Sequence, residues 1–250
     1  MSPPKEENLE KSIYGRNPVL EAIVSDQNID RLYLAYKLQG QVINRIRKEA
    51  ARRKIPVKNI DLNKINEMVH NKSHQGVVAI ISDFYYMPLD DFLNGIEKDQ
   101  KRIIILDRIT DPHNFGAISR TAEAAGFDAI IIPLHDSVSV NNTVVKTSAG
   151  AIFHIPVIRI NSMQHTVQTL KEQGFWIYGT SPQAEQYHYG VDFSGNFAII
   201  IGSEGKGMRG SLTKLCDTIV KIPESGKIGS LNASVSAGIL IYETLRKDYT

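Results

Sequence analysis

Only one cysteine, Cys216, occurs in the 250 residues. A single thiol cannot form an intrachain disulfide framework, and it cannot build a cysteine-based zinc site. A reducing, cytoplasmic compartment is therefore expected, and Cys216 reads as a packing residue. Neither sign of charge dominates. Lys and Arg number 29 against 27 Asp and Glu, so the bulk charge says little about a polyanionic partner. The chain does not open on an apolar run. Its start, MSPPKEENLEK, is charged and proline-containing, and residues 1–11 are expected to be a disordered tail, neither signal peptide nor membrane span. Internal repeats and low-complexity segments are absent. A metal constellation is missing too. His70 and His74 stand at i, i+4, but Asn71, Lys72 and Ser73 between them make the segment loop-like, without the glutamate of a zinc hydrolase motif. No metal is expected.

What is present is ordinary globular material, 42% hydrophobic and 22% charged, enough for a core. The distribution of charge is more informative than its sum. Residues 1–82 hold 14 Lys/Arg and 9 Asp/Glu, and residues 83–250 hold 15 and 18. A positive excess in the N-terminal third is expected if that third meets phosphate, although a solvated basic surface has the same composition.

Residues 12–82 read as a small α/β unit. IYGRNPVLEAIV (13–24) has helical periodicity after Asn17-Pro18, where proline suits a first turn. IDRLYLAY (29–36), IPVKNID and GVVAIIS read as strands. QVINRIRKEAARRK (41–54) is an amphipathic helix, with Val42, Ile43, Ile46 and Ala50 towards one side and Arg45, Lys48 and Arg52 on another. Residues 83–100, acidic with Pro88 and Gly95, read as a linker with a boundary near Lys98. From Lys101 to Thr250, strand candidates at 103–107, 129–133, 154–160, 175–181, 197–204 and 218–223 alternate with helical segments at 114–126, 162–174 and 231–248. Short Ile/Val runs between helices imply a buried parallel sheet. Ligands of such sheets sit at the carboxyl ends of the strands.

Three constellations fall at those ends. In DPHNFGAISRTAEAAG (111–126), Asn114 is placed to cap a helix and Arg120 is its only cation. His113 lies in the loop before that helix. A lone helical Arg is usually solvated, but one near the strand ends can face phosphate or ribose. In FAIIIGSEGKGMRG (197–210), a strand runs into a loop holding Gly205, Gly207 and Gly210 at dinucleotide-fingerprint spacing, with Glu204 inside it. That fingerprint belongs in a first βαβ unit, whereas this loop comes late, and Met208 rules out a phosphate-binding P-loop. In IPESGKIGSLNASVSAGILIYE (222–243), Ser230 or Asn232 can cap the last helix, whose N-terminus can meet polar ligand atoms.

In this order, NFGAISRTA, IIIGSEGKGM and IP…SLNASVSAG resemble the three motifs of the SpoU/TrmH family of RNA ribose 2′-O-methyltransferases, within the SPOUT superfamily. The resemblance covers residues 101–250. Residues 12–82, with IYGRNPVLEAI and SHQGVVA, resemble the substrate-binding extension of bacterial ribosomal-RNA members, an L30e/L7Ae-like fold. The resemblance implies an α/β C-terminal domain with a parallel sheet and a deep trefoil knot, a topology otherwise rare. It implies S-adenosyl-L-methionine held by Gly202, Ile222 and Leu231, with Thr180 and Gly179 lining the same pocket. It assigns Asn114, Arg120, Glu204, Ser230 and Asn232 to the polar catalytic positions, and it makes Arg16, Arg45, Lys48 and Arg52 the RNA-contact candidates. It further implies a homodimer acting on a guanosine ribose in the peptidyl-transferase region of 23S rRNA. A tRNA ribose enzyme and a non-catalytic RNA-binding or ribosome-assembly protein are the alternatives.

Overall fold

The computed structural model describes residues 12–25, 27–69, 72–95, 100–226 and 230–248. The expected tail, His70 and the boundary near Lys98 lie outside the described residues. The chain divides into two compact units: residues 1–85 with 140–154, and residues 86–139 with 155–250.

The first unit begins with β1 (Ser12–Tyr14), α1 (Arg16–Val24), β2 (Ile29–Ala35), α2 (Gln41–Arg52), β3 (Val57–Ile60), α3 (Leu62–Val69) and β4 (Val77–Ile81). The sheet order is β1-β4-β2-β3, antiparallel except for β2 with β3. Residues 13 and 14 therefore belong to a strand. Gly15, at φ 103, breaks the chain between that strand and α1. Pro18 falls in the first turn of α1, where a missing N–H costs nothing. Strand residues alternate faces: Tyr33, Ala35, Val78 and Ile80 pack with Ile65 and Met68 of α3, while Leu32, Leu34, Val77 and Ala79 are buried on the other side.

The chain continues through α4 (Leu89–Gly95), β5 (Arg102–Asp107), α5 (Pro112–Ala124), β6 (Ala129–Pro133), α6 (Asn142–Thr147), β7 (Val157–Ile160), α7 (Met163–Glu172), β8 (Trp176–Thr180), β9 (Gln186–Tyr187), β10 (Phe197–Gly202), α8 (Gly210–Thr213), β11 (Thr218–Lys221) and α9 (Ala233–Asp248). The segment carrying α6 belongs to the first unit. Lys146 stacks 3.7 Å over the Tyr14 ring and donates to Ser73, and His154 pairs with Glu21 at 2.9 Å.

The second unit is built on a seven-stranded, wholly parallel sheet in the order β7-β6-β5-β10-β8-β11-β9. All six strands expected from Lys101 onward are present: β6 spans its expected residues, β5 begins one residue earlier, the other four are shorter at their ends, and the two-residue edge strand β9 is additional. Ile103, Ile104 and Ile105, like Ala198, Ile199 and Ile200, are fully buried, as a sheet covered on both faces requires. One face packs against Val167 and Leu170 of α7. On α5 and α9, which pack together, Phe115, Ile118, Ala122, Ala237, Leu240 and Ile241 are buried. The segment expected to be only a linker contains α4. Phe92 is fully buried, and Met87, Leu89 and Leu93 pack on the same core cluster. Its apolar residues outweigh its acidic composition.

Cys216 packs beside that cluster, and its Sγ donates to Leu212 O at 3.3 Å. Burial and the neighbouring Asp217 carboxylate push the thiol up to about 11. At pH 8 the native protein is expected to react with a disulfide reagent at least about tenfold more slowly than the urea-unfolded chain, because the thiolate is the nucleophile. Equal rates would contradict the packing role.

Candidate active site

Because the sheet is parallel, the ends of β5, β8, β10 and β11 face the same edge. There the chain turns at Asp107, Thr180, Gly202 and Lys221. A pocket of about 380 Å³ opens beside the last three, lined by Thr180, Gly202, Glu204, Ile222, Ser230 and Leu231 among others. Four of the five expected pocket positions and two of the expected catalytic positions therefore meet in one cavity; Gly179 does not line it, because Met208 and Cys216 pack against it.

The Gly-rich loop shapes its floor. A Cβ on Gly202 would come within 2.3 Å of the backbone of Gly207 and Met208, so only glycine lets the loop fold back over the end of β10. Gly207 N donates to Ser203 O at 2.9 Å, with Gly205 and Gly207 at φ 77 and 62. Two of the three glycines that imitate a dinucleotide fingerprint, Gly205 and Gly207, thus make a tight reversal, and the third, Gly210, opens α8. The helix that follows, α8, has four residues and is no phosphate cradle. Met208 reaches back, its sulfur accepting from Thr180 N at 3.4 Å. Asp107 anchors the far end of the loop. Fully buried, it accepts from Arg209 N at 2.8 Å and pairs with Arg209 Nε at 3.1 Å. Arg108, left-handed at φ 61, donates to Gly207 O at 3.1 Å. The sequence reading missed this anchor. Its only signal was an acidic residue ending a buried isoleucine run.

Glu204 joins three remote segments. Its Oε1 accepts from Asn114 Nδ2 at 3.0 Å, from Asn232 Nδ2 at 2.5 Å and from Ala233 N at 3.1 Å. Asn232 Nδ2 also lies 2.9 Å from Asn114 Oδ1. Asn232 Oδ1 caps α9, accepting from Ser234 N at 2.9 Å and Val235 N at 3.3 Å. Asn114, expected to cap α5, does not. Asp111 is the cap, accepting from His113 N at 2.9 Å, because Pro112 starts the helix two residues earlier than expected. Asn114 is instead buried in the first turn of α5, with its amide free to serve the cluster.

Arg120 stands apart. It is exposed, and its side chain makes no hydrogen bond or ion pair with another described residue. Six residues after Asn114, it lies on a different side of α5 and does not line the pocket. Arg45, Lys48 and Arg52 lie on the exposed face of α2, where Arg52 pairs with Glu49 at 2.8 Å. Arg16 lines a separate cavity of the first unit. Both ring nitrogens of His74 are engaged, by Asn66 and by Gly76 N.

A family model described as the SpoU rRNA methylase family matches residues 101–242. A second, described as RNA 2′-O ribose methyltransferase substrate binding, matches residues 12–87. A Staphylococcus epidermidis protein assigned to the TrmH family of tRNA/rRNA methyltransferases is 41% identical over 237 residues, covering 94% of this chain and 95% of that protein. Two solved structures share the fold. The AdoMet-bound rRNA methyltransferase from Sinorhizobium meliloti has a TM-score of 0.82 at 23% identity, covering 98% of this chain and 95% of that one. The SpoU methyltransferase AviRb from Streptomyces viridochromogenes, in complex with AdoMet, has a TM-score of 0.81 at 22% identity, covering 95% and 90%.

The loop geometry sets a direct test. Gly202→Ala is expected to cost about 1–3 kcal/mol in urea unfolding, because its Cβ meets backbone that must shift. Gly210→Ala, whose Cβ meets nothing within 4 Å, is expected to stay within about 0.5 kcal/mol of the parent. Equal effects at the two positions would show that the reversal at Gly202 is not required.

Proposed function

The chain belongs to the SpoU rRNA methylase family of RNA methyltransferases, and we propose that it methylates a ribose 2′-hydroxyl, on a guanosine in the peptidyl-transferase region of 23S rRNA, with S-adenosylmethionine as donor. The observation that carries this reading is the Asn114–Glu204–Asn232 cluster at the rim of the strand-end pocket. The pocket suits the donor. Its volume of about 380 Å³ lies in the range of small-molecule sites. Ile201, Ile222 and Leu231 supply apolar wall for a purine, while Glu204 and Glu224, with Lys206 and Lys221, give the lining charged groups of both signs for a zwitterionic donor. Thr180, Gly202, Ile222 and Leu231 would hold it.

When bound, the donor supplies a methyl group already activated by its sulfonium. With the donor bound, that methyl would pass from sulfur to the ribose oxygen as the hydroxyl gives up its proton. The protein's work is then placement. Glu204, with Oε1 held by three donors, is a positioning residue that locks Asn114 and Asn232 in one arrangement. Ser230, on the same rim, contacts the incoming ribose. A guanidinium offers donors and no acceptor, so Arg120 is no free base. It holds the RNA phosphate and ribose in line with the methyl, and the proton passes to that phosphate. Arg16, Arg45, Lys48 and Arg52 grip the RNA backbone, supported by the substrate-binding match over residues 12–87.

The same reading includes a deep knot in the C-terminal segments, supported by the insertion of β11 between β8 and β9. It includes a homodimer, supported by Val235 and Tyr242 on α9, which are 48% and 54% exposed. The reaction belongs in the cytoplasm, where the RNA is. No helix among the described residues is long and apolar enough to cross a membrane.

Purified protein is expected to transfer radiolabelled methyl to 23S rRNA and to yield alkali-resistant dinucleotides, the mark of a blocked 2′-oxygen. Arg120→Ala is expected to bind S-adenosylmethionine like the parent by calorimetry while methyl transfer falls about 100-fold or more. Near-parental turnover by Arg120→Ala would remove its role. Folded protein that binds no donor would favour a non-catalytic RNA-binding protein.

A further inference from the structure

The first unit holds a cavity of about 590 Å³, walled by Leu38 and Leu62 and rimmed by Arg16, Asn66, His74 and Gln75. Two backbone donors fix the polarity of that rim. Gly76 N donates to His74 Nδ1 at 2.9 Å, so the ring proton sits on Nε2. Nε2 lies 2.7 Å from Asn66 Oδ1 and donates to it. Arg16 N donates to Gln75 Oε1 at 3.1 Å. Among the described rim residues, each side-chain acceptor receives one bond from within the protein. The donors with no such bond are the amide NH2 groups of Asn66 and Gln75 and the Arg16 guanidinium. The Nε of Arg16 is buried with no hydrogen-bond partner among the described residues. His74 is 3% exposed, and burial, with Lys146 nearby, lowers its pKa from the usual histidine value. The ring is neutral at pH 7 and the polarity persists.

The backbone beneath the rim is strained. Gln75 is left-handed at φ 51, uncommon for a residue with a side chain, and Gly76 follows at φ 76. A Cβ on Gly76 would press to 3.0 Å from Leu38 and 3.1 Å from Ala35. The turn brings Gln75 Oε1 to Arg16 N and leaves its NH2 available.

We propose that this cavity captures an unpaired nucleotide of the RNA substrate through its acceptor groups, with phosphate oxygens at Arg16 and base acceptors at Asn66 and Gln75. These amide and guanidinium donors fit the O6 and N7 edge of guanine, which presents two acceptors side by side. Leu38 and Leu62 give the base an apolar wall. The proposal rests on the RNA-methyltransferase reading and names where the first unit recognises its substrate.

Asn66→Asp and Gln75→Glu test it, because each keeps the oxygen used internally and turns the free donor into an acceptor. Full-length protein is titrated with a fluorescent transcript of the peptidyl-transferase region of 23S rRNA, and methyl transfer to that transcript is followed in parallel. Each variant is expected to bind about tenfold more weakly. Gln168→Glu, an equal charge change on exposed α7, is expected to stay within about twofold. Methylation by the parent with both rim variants binding like Gln168→Glu would overturn the pocket and leave the enzymatic reading standing. A parent that neither binds nor methylates any RNA would overturn the enzymatic reading and the pocket with it.

Discussion

A single carboxylate oxygen, Glu204 Oε1, holds the site together. It receives donors from the first turn of α5, from Asn232 and from the first residue of α9, segments far apart in sequence. Hydrogen bonds to an ionised acceptor are the stronger kind, and here three converge on one atom. Their geometry depends on where the loop after β10 puts Glu204. That in turn depends on the backbone-to-backbone approach at Gly202 and on the buried Asp107, which holds the loop at Arg209. Parallel strands deliver these turns to one edge, so the pocket and the cluster follow from the sheet.

The parallel sheet was legible because its strands are buried on both faces and read as near-continuous isoleucine and valine. The pocket-lining positions were legible through resemblance, because three motifs stand in the order of those of the SpoU/TrmH family and carry its donor-binding positions onto this chain. Other features were hidden for physical reasons. Asn114 looked like a cap, since Asn is a good one, but Asp111 and Pro112 start α5 earlier and free Asn114 for the cluster. The segment around α4 looked like a linker because Asp90, Asp91 and Pro88 dominate its composition. Its amphipathic helix buries only one large ring, Phe92. The attachment of Val140–His154 to the first unit includes Lys146 over Tyr14, His154 with Glu21 and Phe153 against Phe84. Such long-range pairs leave no periodic trace.

On the proposed reading the two units divide the work on chemical grounds. The second would use its backbone turns, small residues and fixed polar cluster to hold an activated donor and align an oxygen. The first would use the cationic side chains on α2 and the amide and guanidinium donors at its cavity rim to engage an acceptor-rich polyanion. Arg120 belongs to neither arrangement within one chain. It is a cation on α5 without a partner among the described residues, which suits a role that begins only when RNA arrives.

The most direct measurement is mass-spectrometric mapping of ribose methylation in 23S rRNA from a strain lacking this chain, compared with its parent. The account predicts loss of one 2′-O-methylguanosine in the peptidyl-transferase region, restored by the wild-type gene and not by one encoding Arg120→Ala. An unchanged map of ribose methylation in that rRNA would contradict it.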